Sequence, residues 1–216
     1  MTNLYIVRHC QAKANVDKMF QGRFDGDVTD LGKRQLELLS ERFKNIKLDA
    51  VYTSPLKRAT LTAKAVAKYN NAPIKTDDDL IEINVGDMEK MYIDDIKKQY
   101  PEQSDNWYNN PKDFVSPNGE SMSDVYKRAK KAVLNIINNN KDKTVAITSH
   151  GCLIRNMLCF LHKLELKDIN NVGFSDNTAV SKIQINGSEY NIIYESDLSH
   201  FDDDMNSKTC EKWYEK

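Results

Sequence analysis

Short apolar runs alternate with longer stretches of helical periodicity through most of the chain. Residues 4–7, Leu-Tyr-Ile-Val, form a compact run with the character of a buried strand. A long polar loop follows, containing Gln21-Gly22-Arg23. Thr29 can cap a helix in which Leu36, Leu39, Phe43 and Ile46 recur at helical spacing. Residues 49–53 predict a second strand. Ser54-Pro55 then predicts the N-cap and first residue of another helix, because proline lacks an N–H that would go unbonded there. Leu56, Ala59, Ala63 and Val66 give that helix one buried stripe.

Residues 74–76 predict a third, short strand, and the segment around Tyr92, Tyr100 and Trp107 is less regular and partly helical. Ser121-Met122-Ser123-Asp124 resembles a capping box that opens a helix reaching about Ile137. A fourth strand over 144–148 leads into a helix over 151–161. Residues 179–185 and 190–194 flank Asn186-Gly187, the strongest short hairpin signal in the chain. Strands separated by helices imply parallel pairing through right-handed crossovers, with the hairpin adding an antiparallel edge. The predicted fold is α/β: a three-layer α/β/α sandwich around a mostly parallel sheet. Residues 1–216 are expected to form one domain, with a helical cap-like insertion around 88–118 and a polar tail over 197–216.

Composition narrows the function classes. In 216 residues, 31 basic side chains nearly balance 32 acidic ones, and no basic run provides a footprint for nucleic acid or an anionic membrane. No stretch approaches the ~20 apolar residues of a membrane span. The first strand begins almost at the start, with no basic region or cleavage segment before it, so the expectation is a cytoplasmic protein. Cys10, Cys152, Cys159 and Cys210 show no CxxC spacing and read as free thiols. Cys10 and Cys152 adjoin His9 and His150, which raises zinc. Adjacent residues on an extended strand face opposite ways, however, so His9 and Cys10 are poor partners for one ion. No metal and no cofactor is expected.

In such sheets ligands bind beyond the carboxyl ends of the strands. Arg8-His9 ends the first strand, Arg58 lies just past the second, and Ser149-His150-Gly151 ends the fourth. Arg8, His9, Arg58 and His150 are thereby aimed at one rim. Arginine offers a planar fork matched to phosphate oxygens, and neutral histidine offers a nucleophilic nitrogen near neutral pH. His162 and His200 belong to no motif and read as structural or surface residues.

The segments Val7-Arg8-His9 with Asn15, Gln21-Gly22 through Asp25, Thr29 and Gly32, residues 53–59 (Thr-Ser-Pro-Leu-Lys-Arg-Ala), Leu80-Ile81-Glu82 with Gly86, residues 117–121 (Pro-Asn-Gly-Glu-Ser), Ser149-His150-Gly151 and Asn177-Thr178 occur in one order. In these segments the chain resembles the histidine phosphatase superfamily, also called phosphoglycerate mutase-like, over nearly its whole length. The resemblance implies that His9 is a nucleophile that becomes phosphohistidine. It implies that Arg8, Arg58 and His150 bind the phosphoryl group, and that Glu82 protonates the leaving oxygen and then activates water. Asn15, Gln21 and Gly22 are implied as further substrate contacts. Glu89 competes with Glu82 for the acid's role. Cys10, then Gln11-Ala12, and Lys90 depart from the family's usual Gly, Glu-Thr and Gly.

Within this family a phosphatase is favoured over a cofactor-dependent phosphoglycerate mutase. A mutase must grip a second anionic group, yet no arginine lies between Arg58 and Arg128, and Ile83-Asn84 stands where glycolytic mutases carry Arg and His. The rival from another class is a non-catalytic phosphate-binding or scaffold member. The expected partner is a small phosphomonoester, with no nucleic acid or membrane; monomer and homodimer both stay open.

Overall fold

The computed structural model describes residues 1–202 and 205. In chain order it contains β1 (Thr2–Arg8), α1 (Lys13–Val16), α2 (Asp30–Phe43), β2 (Ala50–Thr53), α3 (Lys57–Ala67) and β3 (Ile74–Thr76). These are followed by α4 (Ile93–Gln99), α5 (Pro101–Asn109), α6 (Met122–Asn139), β4 (Thr144–Ser149), α7 (Gly151–Leu161), β5 (Val180–Asn186) and β6 (Glu189–Asp197). The six strands form one sheet in the order β3-β2-β4-β1-β5-β6. β1, β2, β3 and β4 pair in parallel, while β5 runs antiparallel to both β1 and β6. This is the predicted α/β sandwich with an antiparallel edge.

Alternation along β1 explains the layers. Leu4 and Ile6 enter a core beneath α6 and α7, with Val133, Ile147, Leu153 and Met157. Tyr5 and Val7 point the other way, into a second core with Leu39, Phe43, Val51 and Val66 from the α2–α3 side. Both faces of the central strands are covered, which is why their sequences read as continuous apolar runs rather than alternating ones.

Local signals fared unevenly. Thr29 caps α2 by accepting from Gly32 N at 2.9 Å, and Ser121 with Asp124 closes the capping box of α6. The predicted start of α3 is corrected: the helix begins at Lys57 with Leu56 as N-cap, not at Ser54-Pro55. Ile46 lies beyond the end of α2 but still packs against the second core. In the hairpin, Asn186 pairs with Glu189, so the turn residues are Gly187 and Ser188, one position later than expected. Gly187 has φ +61°, a conformation that costs glycine little. Of the predicted tail over 197–216, residues 203, 204 and 206–216 lie outside the described residues.

Candidate active site

Register sets the site. Parallel pairing holds Val7, Thr148 and Thr53 level across three adjacent strands, so the chain emerges at a common rim at His9, His150 and Ser54. The rings of His9 and His150 lie 5.2 Å apart, and Ser54 Oγ is 2.7 Å from His150 Nε2.

His9 is buried, and its Nδ1 lies 2.7 Å from the carbonyl oxygen of Cys10. A carbonyl only accepts, so Nδ1 carries the ring hydrogen and Nε2 keeps its lone pair. Burial first, then the charges of Arg58 and Arg8, hold the pKa of His9 well below the ordinary histidine value. The imidazole is therefore neutral at pH 7 and competent as a nucleophile. Its backbone is fixed by a return loop: Asn177 Nδ2 donates to His9 O at 2.9 Å, and Thr178 N donates to Arg8 O at 3.1 Å.

Arg8 stands beside His9, with Nη1 donating to Ser175 O at 2.5 Å. Arg58 is 1% exposed; its Nη1 donates to Phe24 O at 2.9 Å and its Nη2 to Gly22 O at 2.7 Å. Burial pulls its pKa down to about 10, which still leaves it charged at neutrality. Its terminal nitrogens are thus engaged by the loop around Gly22, while its Nε–H has no partner among the described residues.

Gly22, implied as a substrate contact, packs tightly against the segment that carries Glu82. A Cβ there would lie 2.5 Å from Ile83 O and 2.8 Å from Val85 Cγ2, so glycine allows this loop to press against the segment carrying Glu82. Its N–H donates to Glu89 Oε1 at 2.9 Å, and Arg23 N donates to Glu89 Oε2 at 2.7 Å. Glu89 is accordingly a brace for the loop that orients Arg58.

Glu82 is buried and takes three backbone hydrogen bonds. Oε1 accepts from Ile83 N at 2.9 Å and Leu153 N at 3.1 Å, and Oε2 accepts from Cys152 N at 3.1 Å. Two of these donors belong to the first turn of α7, where unpaired N–H groups favour an acceptor. Burial nevertheless outweighs these bonds and the Arg58 charge and raises the pKa of Glu82 above the usual carboxylate range. That direction suits a proton donor.

His150 is fully buried, and burial followed by the charge of Arg58 also lowers its pKa well below the usual histidine value. Ser54 Oγ accepts from Leu56 N at 3.3 Å, and among the described residues only His150 Nε2 is in place to accept its hydroxyl hydrogen. The network assigns the ring hydrogen to Nδ1, which has no partner among the described residues. Ser54 is the residue that sequence reasoning missed. Its position beside a helix start suggested a cap, whereas its place one residue past a strand level with Thr148 was the signal for a rim position.

A cleft opens at these groups, and Arg8, His9, Asn15, Gln21, Glu82 and Gly151 line it. Met19, Phe20, Ile83, Trp107, Cys152 and Phe174 form the rest of its wall. Arg58 and His150 are not among the residues that line it. Tyr92 is exposed and Tyr108 lines a separate small cavity, so of the aromatic group singled out in sequence only Trp107 reaches the cleft. His162 pairs with Glu195 and His200 with Arg42, both away from the cleft.

The departures from the family pattern have physical readings. Cys10 does not take a positive φ, so the freedom of glycine is not needed there. Its buried thiol is pushed up to about 11, which keeps it protonated and poorly reactive. Lys90 does adopt φ +66°, the left-handed region that favours glycine, with its Nζ 4.1 Å from the centre of the Phe24 ring.

The architecture is that of the phosphoglycerate mutase-like α/β sandwiches. It superposes on Bacillus stearothermophilus YhfR with a TM-score of 0.88 at 31% identity, covering 93% of this chain and 99% of that one. The sequence model of the histidine phosphatase superfamily (branch 1) matches residues 4–197, and the chain belongs to this superfamily. Among its relatives, Phosphoserine phosphatase 1 of Hydrogenobacter thermophilus is 32% identical over 86% of this chain and 87% of its own length. Phosphoglycerate mutase-like protein 4 of Arabidopsis thaliana is 30% identical over 93% of this chain and 87% of its own.

Proposed function

We propose that this protein is a metal-independent phosphomonoesterase that hydrolyses a small phosphorylated metabolite through a phosphohistidine at His9. The observation that carries the reading is the state of His9: a neutral ring with Nδ1–H held by Cys10 O and Nε2 left as nucleophile, beside two arginines. His9 Nε2 attacks phosphorus, the P–N bond forms, and the P–O bond to the alcohol breaks as Glu82 gives its proton to the leaving oxygen. Water then attacks the phosphohistidine, Glu82 takes back a proton, and phosphate leaves. Phosphoryl transfer asks mainly for positioning and fixed positive charge; Arg8 and Arg58 provide the charge and neutral His150 an N–H donor, without a metal. Asn15 and Gln21 line the same cleft, which supports contacts from them to the phosphoryl oxygens.

Hydrolysis is favoured over transfer to a second phosphorylated acceptor. Among the described residues lining the cleft, Arg8 is the single arginine and there is no lysine. Nearby arginines are committed elsewhere: Arg23 to Glu120, Arg128 to Glu120 and the carbonyls of Asp79 and Ile81, and Arg155 to the carbonyls of Val172 and Ile169. We read α4, α5 and the turn after them, within 88–118, as the cover that shapes the cleft. No helix among the described residues is long and apolar enough to cross a membrane, which suits a substrate met in water.

The test is turnover of a panel of phosphomonoesters after exhaustive chelation, with alcohol and inorganic phosphate both quantified. Equal release of the two in chelator supports the proposal. Loss of activity in chelator with recovery on adding magnesium or zinc, or release only when a phosphorylated acceptor is supplied, rejects it.

A further inference from the structure

The cleft is chemically divided, and the division bears on what is esterified to the phosphate. Arg8, His9, Asn15, Gln21 and Glu82 are its polar lining. The wall that would face the alcohol is made by Met19, Phe20, Ile83, Trp107 and Phe174. Trp107 is held rigidly there: Phe20 and Phe114 each meet it edge-on at 4.9 Å, and Phe174 stacks on it at 6.1 Å with the planes 24° apart. Phe114 is buried, so the platform is anchored in the core. The Arg155 guanidinium lies 4.6 Å from the centre of the Phe174 ring, with Nε donating to Val172 O and Nη2 to Ile169 O. A pre-packed aromatic surface rewards apolar area and gives nothing to an anion that must shed its water to reach it.

Resting on the phosphatase reading above, we infer that the substrates of this site are phosphomonoesters whose alcohol is uncharged and carries an apolar or aromatic body that lies on Phe20, Trp107 and Phe174. Amino-acid and hydroxy-acid phosphates fit poorly. Their carboxylate would have to shed its water against this wall. Each methylene buried on the wall is worth about four-fold in kcat/KM, the equivalent of roughly 0.8 kcal/mol.

The experiment compares ethyl, n-butyl and 3-phenylpropyl phosphate with phosphoserine and 3-phosphoglycerate. All five release alkyl alcohols, so poor leaving groups are common to the set and an activated aryl phosphate does not distort the order. Expected is a rise in kcat/KM of about 15-fold from ethyl to n-butyl phosphate, a further rise for 3-phenylpropyl phosphate, and the two charged esters at or below the ethyl ester. Trp107→Ala and, separately, Phe174→Ala should lower the ratio of 3-phenylpropyl to ethyl phosphate by about 10-fold, with circular dichroism confirming the fold of whichever variant is read. A flat alkyl series, an unchanged ratio in a folded variant, or phosphoserine or 3-phosphoglycerate as the best substrate overturns the inference. Labelled phosphate on His9 with phosphoserine preferred would remove this inference and leave the phosphatase reading standing. No phosphoenzyme from any of the five would remove both.

Discussion

Replacing Glu82 by glutamine separates chemistry from architecture at the residue assigned as acid. Its two oxygens accept three backbone hydrogen bonds, two at Oε1 and one at Oε2. A glutamine side chain has one carbonyl oxygen, so in its better orientation the amide NH2 faces Cys152 N–H, donor against donor. One buried donor left unsatisfied costs about 1–3 kcal/mol, which in a chain of this size lowers Tm by about 2–12 °C. The protein stays folded, and its kinetics can be read. Loss of a general acid costs about 10²–10⁴-fold, but only where the leaving oxygen needs the proton. Single-turnover phosphoenzyme formation from an alkyl phosphate should fall within that range, while formation from p-nitrophenyl phosphate should fall far less. The wild-type rate with the alkyl ester should decline as pH rises through the elevated pKa of Glu82, because the proton donor is lost, and this alkaline limb should vanish in Glu82→Gln. Glu89→Gln, which loosens the Gly22 loop, should lower both substrates together. Equal losses on the two substrates in Glu82→Gln, or a leaving-group-dependent loss in Glu89→Gln, would refute the assignment.

Three further outcomes follow from the same geometry. Ser54→Ala should weaken vanadate binding by about 5–100-fold and shift the pH profile of kcat/KM, with Ser54→Thr restoring part of both, because the hydroxyl fixes the tautomer of His150; unchanged vanadate affinity would show that Ser54 does not position it. The pKa values of His9 and His150 are depressed on folding, so the stability they contribute is complete above about pH 6.5 and is lost as pH falls toward their folded values, by up to ~1.4 kcal/mol per pH unit each. Glu82 acts in the opposite sense, so urea midpoints at pH 7 and about pH 5.5 should be compared with those of a His9→Gln, His150→Gln double variant, whose dependence should be flatter. At Lys90 the usual order of residues should invert, with Lys90→Gly more stable in urea than Lys90→Ala by about 1 kcal/mol, because only glycine relieves φ +66°.

Much of the fold was legible because its signals are local. Residues 151–161 were predicted as a helix and form α7, and Thr29 and Ser121 cap as their side chains imply. The rim residues Arg8, His9 and His150 were legible from strand ends alone. What sequence could not show depends on contacts between distant segments. Ser54 looked like a cap because the chain does not reveal that Thr53 lies level with Thr148, which brings the hydroxyl to His150 instead. That Gly22 packs against Ile83 could not be read either, because the two are 61 positions apart. The choice between Glu82 and Glu89 turned on which carboxylate faces the cleft, and only packing decides that. Phe20 and Phe174 belong to no motif, and they become a surface only when Trp107 is packed between them.

The central claim is that His9 carries the phosphoryl group, and trapping it tests that claim most directly. Labelled substrate, rapid quenching in alkali and peptide mapping should place an acid-labile, base-stable phosphate on His9 at a stoichiometry approaching one. His9→Ala should form none while keeping its fold. Label on a serine or cysteine, or full turnover by His9→Ala, would contradict the account.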